Sequence, residues 1–409
     1  MKDSQIGRWY YRHRTLIIAL CILVMGYYFM YLALGQDILS HNPYDSYSRQ
    51  AVSWWEGRAD FQGDYRWLEL ARYHNKYYLG FGPVPSAIYF FLVPFYGEET
   101  PNNLVVTICA LLCFVVAYSF CKRREMTDLQ ALFWSIFLVM GGNLVAISVS
   151  GGVWFQAQVL SFLLTLLSLY FITTDGACRW HLGLFFWALA VGCRPLQVLY
   201  LPLYLYLLFD NLAQSGEITY RRDLLKLLPY AYLPVIVFAL YGWYNWIRFG
   251  STLEFGHNYT AEALSAPYGQ FSFHYVKENL AYIFRLPALV AGSSSRITLP
   301  RYDGFLFFLA NPIIIPFFTR LCGKVTKKSL SFLDIAIPAL ILVHIAFFLC
   351  HKTMGGWQFG VRYFVNFLPF VFFYICSREP KFRSYEILLM AFGVIFNIYG
   401  AAWLHLNWH

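Results

Sequence analysis

Residues 15–34 read TLIIALCILVMGYYFMYLAL, an apolar run of 20 residues without a charged side chain. An α-helix rises about 1.5 Å per residue, so about 20 residues cover the roughly 30 Å hydrocarbon core of a bilayer. The basic segment before this run is not followed by the short apolar core and small-residue cleavage site of a signal peptide. The stretch therefore predicts an uncleaved first transmembrane helix.

The composition of the whole chain indicates that this helix is one of many. Of the 409 residues, 59% are hydrophobic, 21% aromatic and only 13% charged, whereas a soluble domain averages about 25% charged residues. We therefore expect one all-α polytopic membrane domain over residues 1–409. The net charge of +9 is not collected in a long basic stripe, so it does not indicate a nucleic-acid surface.

Eleven apolar runs are predicted to be transmembrane helices. They cover residues 15–34, 103–121, 129–149, 154–173, 181–193, 196–209, 227–247, 304–320, 331–350, 363–376 and 385–403. With the N-terminus inside, the cytoplasmic loops hold more than half of the 31 Lys and Arg, as the positive-inside rule expects. The shorter run at residues 84–97, which contains prolines near both ends, is predicted to be re-entrant or to lie on the surface.

Two long loops are predicted on the outer side, residues 35–102 and 248–303. Both are rich in Trp, Tyr and Phe, which favours folded or interfacial segments over disorder. Within them, SRQAVSWWEGR (48–58) and FHYVKENLAYIFRL (273–286) are predicted to form amphipathic helices near the membrane surface.

The sequence lacks the motifs of several other classes of protein. None of the nine cysteines lies in the two long loops, which argues against a disulfide framework or a CxxC metal site. The Walker, HExxH and GxSxG motifs of soluble enzymes are absent. No internal repeat is visible, which argues against an inverted-repeat transporter.

Asp45 is the first candidate for chemistry. It lies about ten residues past the first run, close enough to stay near the bilayer. Tyr44, Tyr47, Trp54 and Trp55 around it are residue types that favour the headgroup zone. A carboxylate held there could act as a general base for an acceptor at the membrane surface; the alternative is an ordinary solvated loop residue.

Glu69 and His74 are the next candidates in the same loop. Glu69 could be a second carboxylate that orients an acceptor or binds a metal. Alternatively, it could pair with Arg66 or Arg72 on one face of a helix.

Three arginines and two further residues complete the predicted substrate-binding set. Arg194 is a cation at apolar depth, where charged residues are rare and usually functional, although it could instead snorkel to the outer headgroups. Arg248, His257 and Tyr259 follow the outer end of a predicted span. Arg362 lies where the next span starts, and could bind substrate or anchor the helix to headgroups.

Taken in order, five stretches resemble one superfamily. They are the D..Y...A.....G pattern from Asp45, WLELARYHNKYYLGFGPVPS (67–86), RP (194–195), YNWIRFGSTLEFGHNY (244–259) and GGWQFGVRYFVNFLPF (355–370). Together they resemble bacterial membrane glycosyltransferases of the GT-C superfamily, which includes protein O-mannosyltransferases and the aminoarabinose transferases of lipid A.

The resemblance implies an inverting transfer of sugar from a polyprenyl-phosphate carrier to an acceptor at the outer face of the cell membrane. It implies that Asp45 is the catalytic base and that Arg194, Arg248 and Arg362 are the candidates for binding the lipid phosphate. The second acidic motif of the metal-dependent oligosaccharyl branch is missing, so no metal or other cofactor is expected. A lipid or glycan acceptor is favoured, because the sequence given continues only briefly past the last predicted span.

Two other functions remain open at the level of sequence. A transporter or flippase of lipid-linked sugars would also place basic residues in a membrane cavity, but it would not need Asp45 as a base. A protein similar to O-antigen polymerases or ligases would share the long outer loops and would rely on arginine and histidine there.

Overall fold

The computed structural model describes residues 5–218, 221–290, 296–300 and 302–406. Its helices in chain order are α1 (Gln5–Ala33), α2 (Tyr47–Trp55), α3 (Val84–Tyr96), α4 (Asn102–Arg123), α5 (Asp128–Val139), α6 (Leu144–Ser148), α7 (Val153–Ile172), α8 (Ala177–Cys193), α9 (Leu201–Gln214), α10 (Tyr232–Phe249), α11 (Ala261–Leu264), α12 (Val276–Ile283), α13 (Phe307–Ala310), α14 (Ile314–Thr326), α15 (Phe332–Leu349), α16 (Leu368–Arg378) and α17 (Ser384–Leu406). Short 3-10 helices cover Gly97–Glu99, Pro195–Tyr200, Arg221–Ala231, His257–Tyr259, Phe273–Tyr275 and Arg362–Phe367.

The protein is a multi-pass membrane protein. Within the described residues, seven helices are long and apolar enough to cross a bilayer: His13–Ala33, Asn102–Arg123, Val153–Ile172, Pro195–Gln214, Asp223–Phe249, Phe332–Leu349 and Ser384–Leu406. Each coincides with a predicted span. The other four predicted spans correspond to the shorter helices α5, α8, α14 and α16, so the count of eleven is not confirmed.

The predicted run 129–149 shows why some spans are shorter than expected. It is divided into α5 and α6 by a break that contains Gly141 and Gly142. At the break, the backbone N–H of Asn143 donates to Oδ1 of Asn311 (3.1 Å), a residue in the similar break between α13 and α14. Backbone that leaves helical geometry at membrane depth must find polar partners within the protein, and these two asparagines provide them.

Helix α7 forms the centre of the bundle. It is buried along most of its length and packs against α4 and α8. In contrast, α1, α10 and α15 expose many apolar side chains, such as Ile22, Trp243 and Leu342. On membrane-spanning helices such side chains face lipid, so these three helices lie at the periphery.

The first long loop is a folded unit, and it corrects the expectation of an all-α protein. Strands β1 (Leu70–Tyr73) and β2 (Lys76–Leu79) pair as an antiparallel hairpin. Its two turn residues, His74 and Asn75, have positive φ of 47° and 61°, as a two-residue hairpin loop requires.

A second hairpin, β3 (Ala288–Val290) with β4 (Arg296–Thr298), lies in the other long loop. Residues 291–295 and 301 of that loop lie outside the described residues. The helices predicted within 48–58 and 273–286 are confirmed as α2 and α12, and the short run at 84–97 forms α3.

Candidate active site

Four chain segments meet at one end of the bundle. They are the first loop after α1, the turn after α8, the loop after α10 and the loop after α15. The last two are joined directly: the backbone N–H of Ser272 donates to the carbonyl of Cys350 (2.8 Å), and that of Lys352 donates to the carbonyl of Gln270 (2.9 Å). The segments predicted from sequence to carry chemistry are therefore neighbours.

Asp45 is enclosed at the start of α2, with no exposed surface. Its Oδ1 accepts hydrogen bonds from the backbone N–H of Tyr47 (2.8 Å) and from Nε2 of Gln156 (2.7 Å). Its Oδ2 accepts from the backbone N–H of Ser48 (3.2 Å) and from the Ser48 hydroxyl. A carboxylate offers about four lone-pair positions, and all are in use. Another group can reach Asp45 only by replacing the side chain of Ser48 or Gln156.

Glu69 is the more accessible carboxylate. It is half-buried just before β1, and its Oε2 accepts a hydrogen bond from Nε1 of Trp154 (3.0 Å). Burial raises the pKa of Glu69, while the Trp154 hydrogen bond and the charges of Arg362 and Lys352 act in the opposite direction. The alternative of a helical pairing with a neighbouring arginine is wrong, because residues 66–72 form no helix.

Arg194 and Arg362 come together at one aromatic ring. Their guanidinium carbons lie 5.4 and 5.0 Å from the centroid of Tyr363. Among the described residues neither forms an ion pair with a carboxylate. Nη2 of Arg194 and both Nε and Nη1 of Arg362 are buried without a hydrogen-bond partner. Buried cationic donors left unpaired are costly, so this arginine pair is a candidate anion-binding site.

The backbone of Arg362 is fixed by two glutamines. Its N–H donates to Oε1 of Gln358 (2.8 Å), and its carbonyl accepts from Nε2 of Gln158 on α7 (2.9 Å). Gln358 in turn donates to the carbonyl of Gly355 (2.9 Å), which has φ of +107°. A Cβ on Gly355 would lie 3.2 Å from Nε of Arg362. This glycine therefore leaves room for the guanidinium.

Arg194 is placed by the end of α8. Its backbone is extended (φ −139°, ψ 99°), as is favoured for a residue that precedes proline. The last turn of α8 packs directly on the first loop, because a Cβ on Gly82 would lie only 2.0 Å from the carbonyl oxygen of Gly192. The close approach of these two glycines positions Arg194 relative to the first loop.

Tyr47 is a fully buried residue near Asp45 and Arg194. Its buried ring interacts electrostatically with both Asp45 and Arg194. Its hydroxyl has no hydrogen-bond partner in the structure. The charges of Asp45 and Arg194 therefore both lie near this ring.

Two histidines and an ion pair lie in the loops after α10 and α15. The rings of His257 and His351 are 6.5 Å apart, and Lys352, whose side chain is 6% exposed, pairs with Glu262 (3.2 Å). Burial lowers the pKa of both histidines and so favours their neutral forms. His351, Lys352 and Glu262 were not selected from the sequence; their only signal was a position in the outer loops.

Three other predicted residues lie in or next to the β1–β2 hairpin. Arg248 is buried between aromatic rings and donates to the carbonyl of Leu79 (2.7 Å) and to Oδ1 of Asn245 (2.8 Å). Tyr259 packs on the same hairpin, and His74 is exposed at its turn. Their contacts hold the hairpin against α10, and the structure does not bring them to the arginine pair.

No arrangement in the described part of the chain suggests a bound metal. Among those residues no group of three or more His, Cys, Asp or Glu could hold a metal ion.

The sequence matches no protein-family model and no curated protein. The fold, however, is similar to solved membrane enzymes. ArnT, the aminoarabinose transferase from Cupriavidus metallidurans, matches in the apo state with a TM-score of 0.54 and 10% identity, over 92% of this chain and 61% of ArnT. The same protein bound to undecaprenyl phosphate matches with a TM-score of 0.55 and 10% identity, over 94% of this chain and 63% of ArnT.

A third solved structure comes from an archaeon. The oligosaccharyltransferase of Archaeoglobus fulgidus in the apo form matches with a TM-score of 0.55 and 12% identity, over 97% of this chain and 56% of that protein. The chain thus spans about three fifths of the length of the structures it matches. At these identities the likeness concerns the fold, and the chain has the fold of the GT-C membrane glycosyltransferases.

Proposed function

We propose that the protein is a membrane glycosyltransferase that takes a sugar from a polyprenyl-phosphate donor and passes it, with inversion, to a lipid or glycan acceptor. The reaction takes place at the outer face of the membrane. The observation that carries the proposal is the arginine pair Arg194 and Arg362, whose buried donors lack a partner; the charge of Arg362 also acts on the Glu69 carboxylate. The shared fold supports it, since one of the similar structures holds undecaprenyl phosphate.

The arginine pair supplies what the leaving group needs. When the sugar–phosphate bond breaks, negative charge develops on the phosphate. The planar donor fork of arginine matches phosphate geometry, and preorganised donors aimed at developing charge are usually the largest catalytic contribution. In this proposal, two guanidinium groups take the role that a divalent metal has in other transferases.

The carboxylates act on the acceptor. Asp45 accepts the proton of the acceptor hydroxyl as that oxygen attacks the anomeric carbon, and the single displacement inverts its configuration. Because Asp45 is saturated by hydrogen bonds in the structure, the acceptor hydroxyl replaces the Gln156 amide as a donor to Oδ1. Glu69, which is more open to solvent, orients the same acceptor.

The first test is binding of undecaprenyl phosphate to purified protein in detergent, measured as a shift in Tm. The wild type should be stabilised, and Arg194→Gln/Arg362→Gln should lose that stabilisation. Arg66→Gln/Arg72→Gln is the matched control, because both of these arginines are exposed in the first loop. Equal stabilisation of both double variants would contradict the proposed phosphate site.

The second test separates an enzyme from a transporter or flippase. A transferase in detergent, with no second compartment, should consume a polyprenyl-phosphate sugar and release polyprenyl phosphate when acceptor lipids are added. A transporter binds the donor but leaves it chemically unchanged. Recovery of intact donor after prolonged incubation, under conditions in which the protein binds it, would favour the transporter.

A further inference from the structure

A polar cavity lies at the opposite end of the bundle from the arginine pair. It has a volume of about 280 Å³. Helix α16 starts directly after the 3-10 helix that contains Arg362, and its last residue, Arg378, lines the cavity. The helix has 11 residues, a length of roughly 16 Å. The charged residues that line it come from α14, α16 and the segment before α17: Arg320, Lys324, Lys327, Arg378, Glu379 and Arg383.

The cavity carries two surplus positive charges. Its three arginines already have carboxylate partners, in the pairs Arg320–Glu386, Arg378–Asp334 and Arg383–Glu379. Lys324 is half-buried and Lys327 is exposed. Neither lysine forms an ion pair within the part of the chain that the structure describes. The two lysines are therefore available to an anion that enters the cavity.

The surroundings indicate where that anion comes from. Phe318 and Val325 on α14 are 45% and 53% exposed, and Leu388 near the start of α17 is 72% exposed. On helices of a membrane protein such side chains face acyl chains. The cavity thus has a cationic interior next to a lipid-facing apolar surface, and it lies where the helices leave the hydrocarbon region.

We propose that this cavity binds the headgroup of an anionic phospholipid, with the phosphate held by Lys324 and Lys327 and an acyl chain along α14. Basic pockets between helices on the cytoplasmic side are suited to anionic lipid headgroups. The positive-inside rule places two basic segments on that side, RLCGKVTKK (320–328) and REPKFR (378–383). The structure joins these two segments in one cavity, which the positive-inside rule by itself does not require. This site is independent of the proposed sugar transfer.

The test measures Tm of the full chain in a neutral detergent while phosphatidylglycerol is titrated. Phosphatidylcholine and inorganic phosphate are titrated in parallel. Phosphatidylglycerol should stabilise the wild type, and Lys324→Gln/Lys327→Gln should weaken its apparent affinity about 25-fold, because each lysine near an anionic headgroup contributes about a factor of five. Lys324→Arg/Lys327→Arg should retain most of the effect, which shows that the site tolerates substitution without loss of folding.

The matched control is Arg123→Gln/Arg179→Gln. It removes the same two charges from exposed positions that do not line the cavity, so it should bind phosphatidylglycerol as the wild type does. An equal loss in both double variants would mean general surface attraction and would overturn the proposal. Equal stabilisation by phosphatidylcholine would also overturn it, because the site would then not recognise charge. Equal stabilisation by inorganic phosphate alone would overturn it as well, because the anion would then not need to be a lipid.

Discussion

Replacing Arg362 by glutamine should have opposite effects on binding and on stability. In the ligand-free protein, Nε and Nη1 of Arg362 are buried without partners, and a second guanidinium, that of Arg194, lies over the same Tyr363 ring. An unsatisfied buried polar group costs about 1–3 kcal/mol, and more if it is charged. Arg362→Gln removes this cost, so the free energy of unfolding should stay within about 1 kcal/mol of wild type or increase.

The matched comparison is Arg320→Gln, a substitution of the same type at another buried arginine. Arg320 is fully paired: it contacts Glu386 in an ion pair in which both side chains are almost completely buried, and it also donates to the carbonyls of Glu379 and Lys381. Removing one partner of a buried ion pair leaves an uncompensated charge and costs about 3–5 kcal/mol. Arg320→Gln should therefore unfold at a clearly lower temperature or denaturant concentration.

Arg362→Gln should weaken ligand binding, although it should not lower the free energy of unfolding. A hydrogen bond to a charged group contributes about 1.5–3 kcal/mol, so loss of this side chain should weaken binding of undecaprenyl phosphate about 10- to 150-fold. The assay is denaturant unfolding of wild type, Arg362→Gln and Arg320→Gln in detergent, with and without undecaprenyl phosphate. If ligand-free Arg362→Gln is as unstable as Arg320→Gln, Arg362 has a structural role and the reasoning is refuted.

Three further predictions address the carboxylate, the glycine contact and the hairpin. Burial raises the pKa of Glu69, and in the proposal its ionised form orients the acceptor. Wild-type activity should therefore fall on acidification at a pH above the ordinary pKa of glutamate, and the pH–rate profile of Glu69→Gln should lack this fall. An unchanged profile in the variant would exclude this role for Glu69. Gly82→Ala places a Cβ 2.0 Å from the Gly192 carbonyl oxygen. It should therefore lower the free energy of unfolding by about 1–3 kcal/mol and weaken binding of undecaprenyl phosphate in the Tm assay. The control Gly26→Ala, whose Cβ meets open space, should change neither quantity. Arg248→Gln should lower Tm through loss of its buried hydrogen bonds, while the affinity of the remaining folded protein for undecaprenyl phosphate stays within about threefold of wild type; a much larger loss of affinity would assign Arg248 to the phosphate site.

Hydropathy predicted the long, continuous helices because a span needs only local sequence. It did not predict the break within the run 129–149, where the backbone of Asn143 finds its partner in Asn311, a residue distant in sequence. The β1–β2 hairpin was also missed. Its turn, His74–Asn75, adopts positive φ without the Asn-Gly or Asp-Gly pair that usually marks such a turn.

The arginines of the site were predictable one by one, Arg194 as a cation at apolar depth and Arg248 and Arg362 from their positions next to predicted spans. Their separation into a pair and a structural residue was not predictable. Arg194 and Arg362 meet through packing between α8 and the loop after α15, whereas Arg248 directs its donors to Leu79 and Asn245. The same residue type, in the same kind of position, thus has different partners that only the fold reveals.

The most direct test of the proposed function is a turnover assay with Asp45→Asn. This variant keeps the shape of the side chain, and it should fold and bind undecaprenyl phosphate as the wild type does. The wild type should transfer sugar from a polyprenyl-phosphate donor and release polyprenyl phosphate, and Asp45→Asn should lose at least about 100-fold in rate, the lower range of general base catalysis. Transfer by Asp45→Asn at the wild-type rate, or no transfer by the wild type with any polyprenyl-phosphate sugar, would contradict the account.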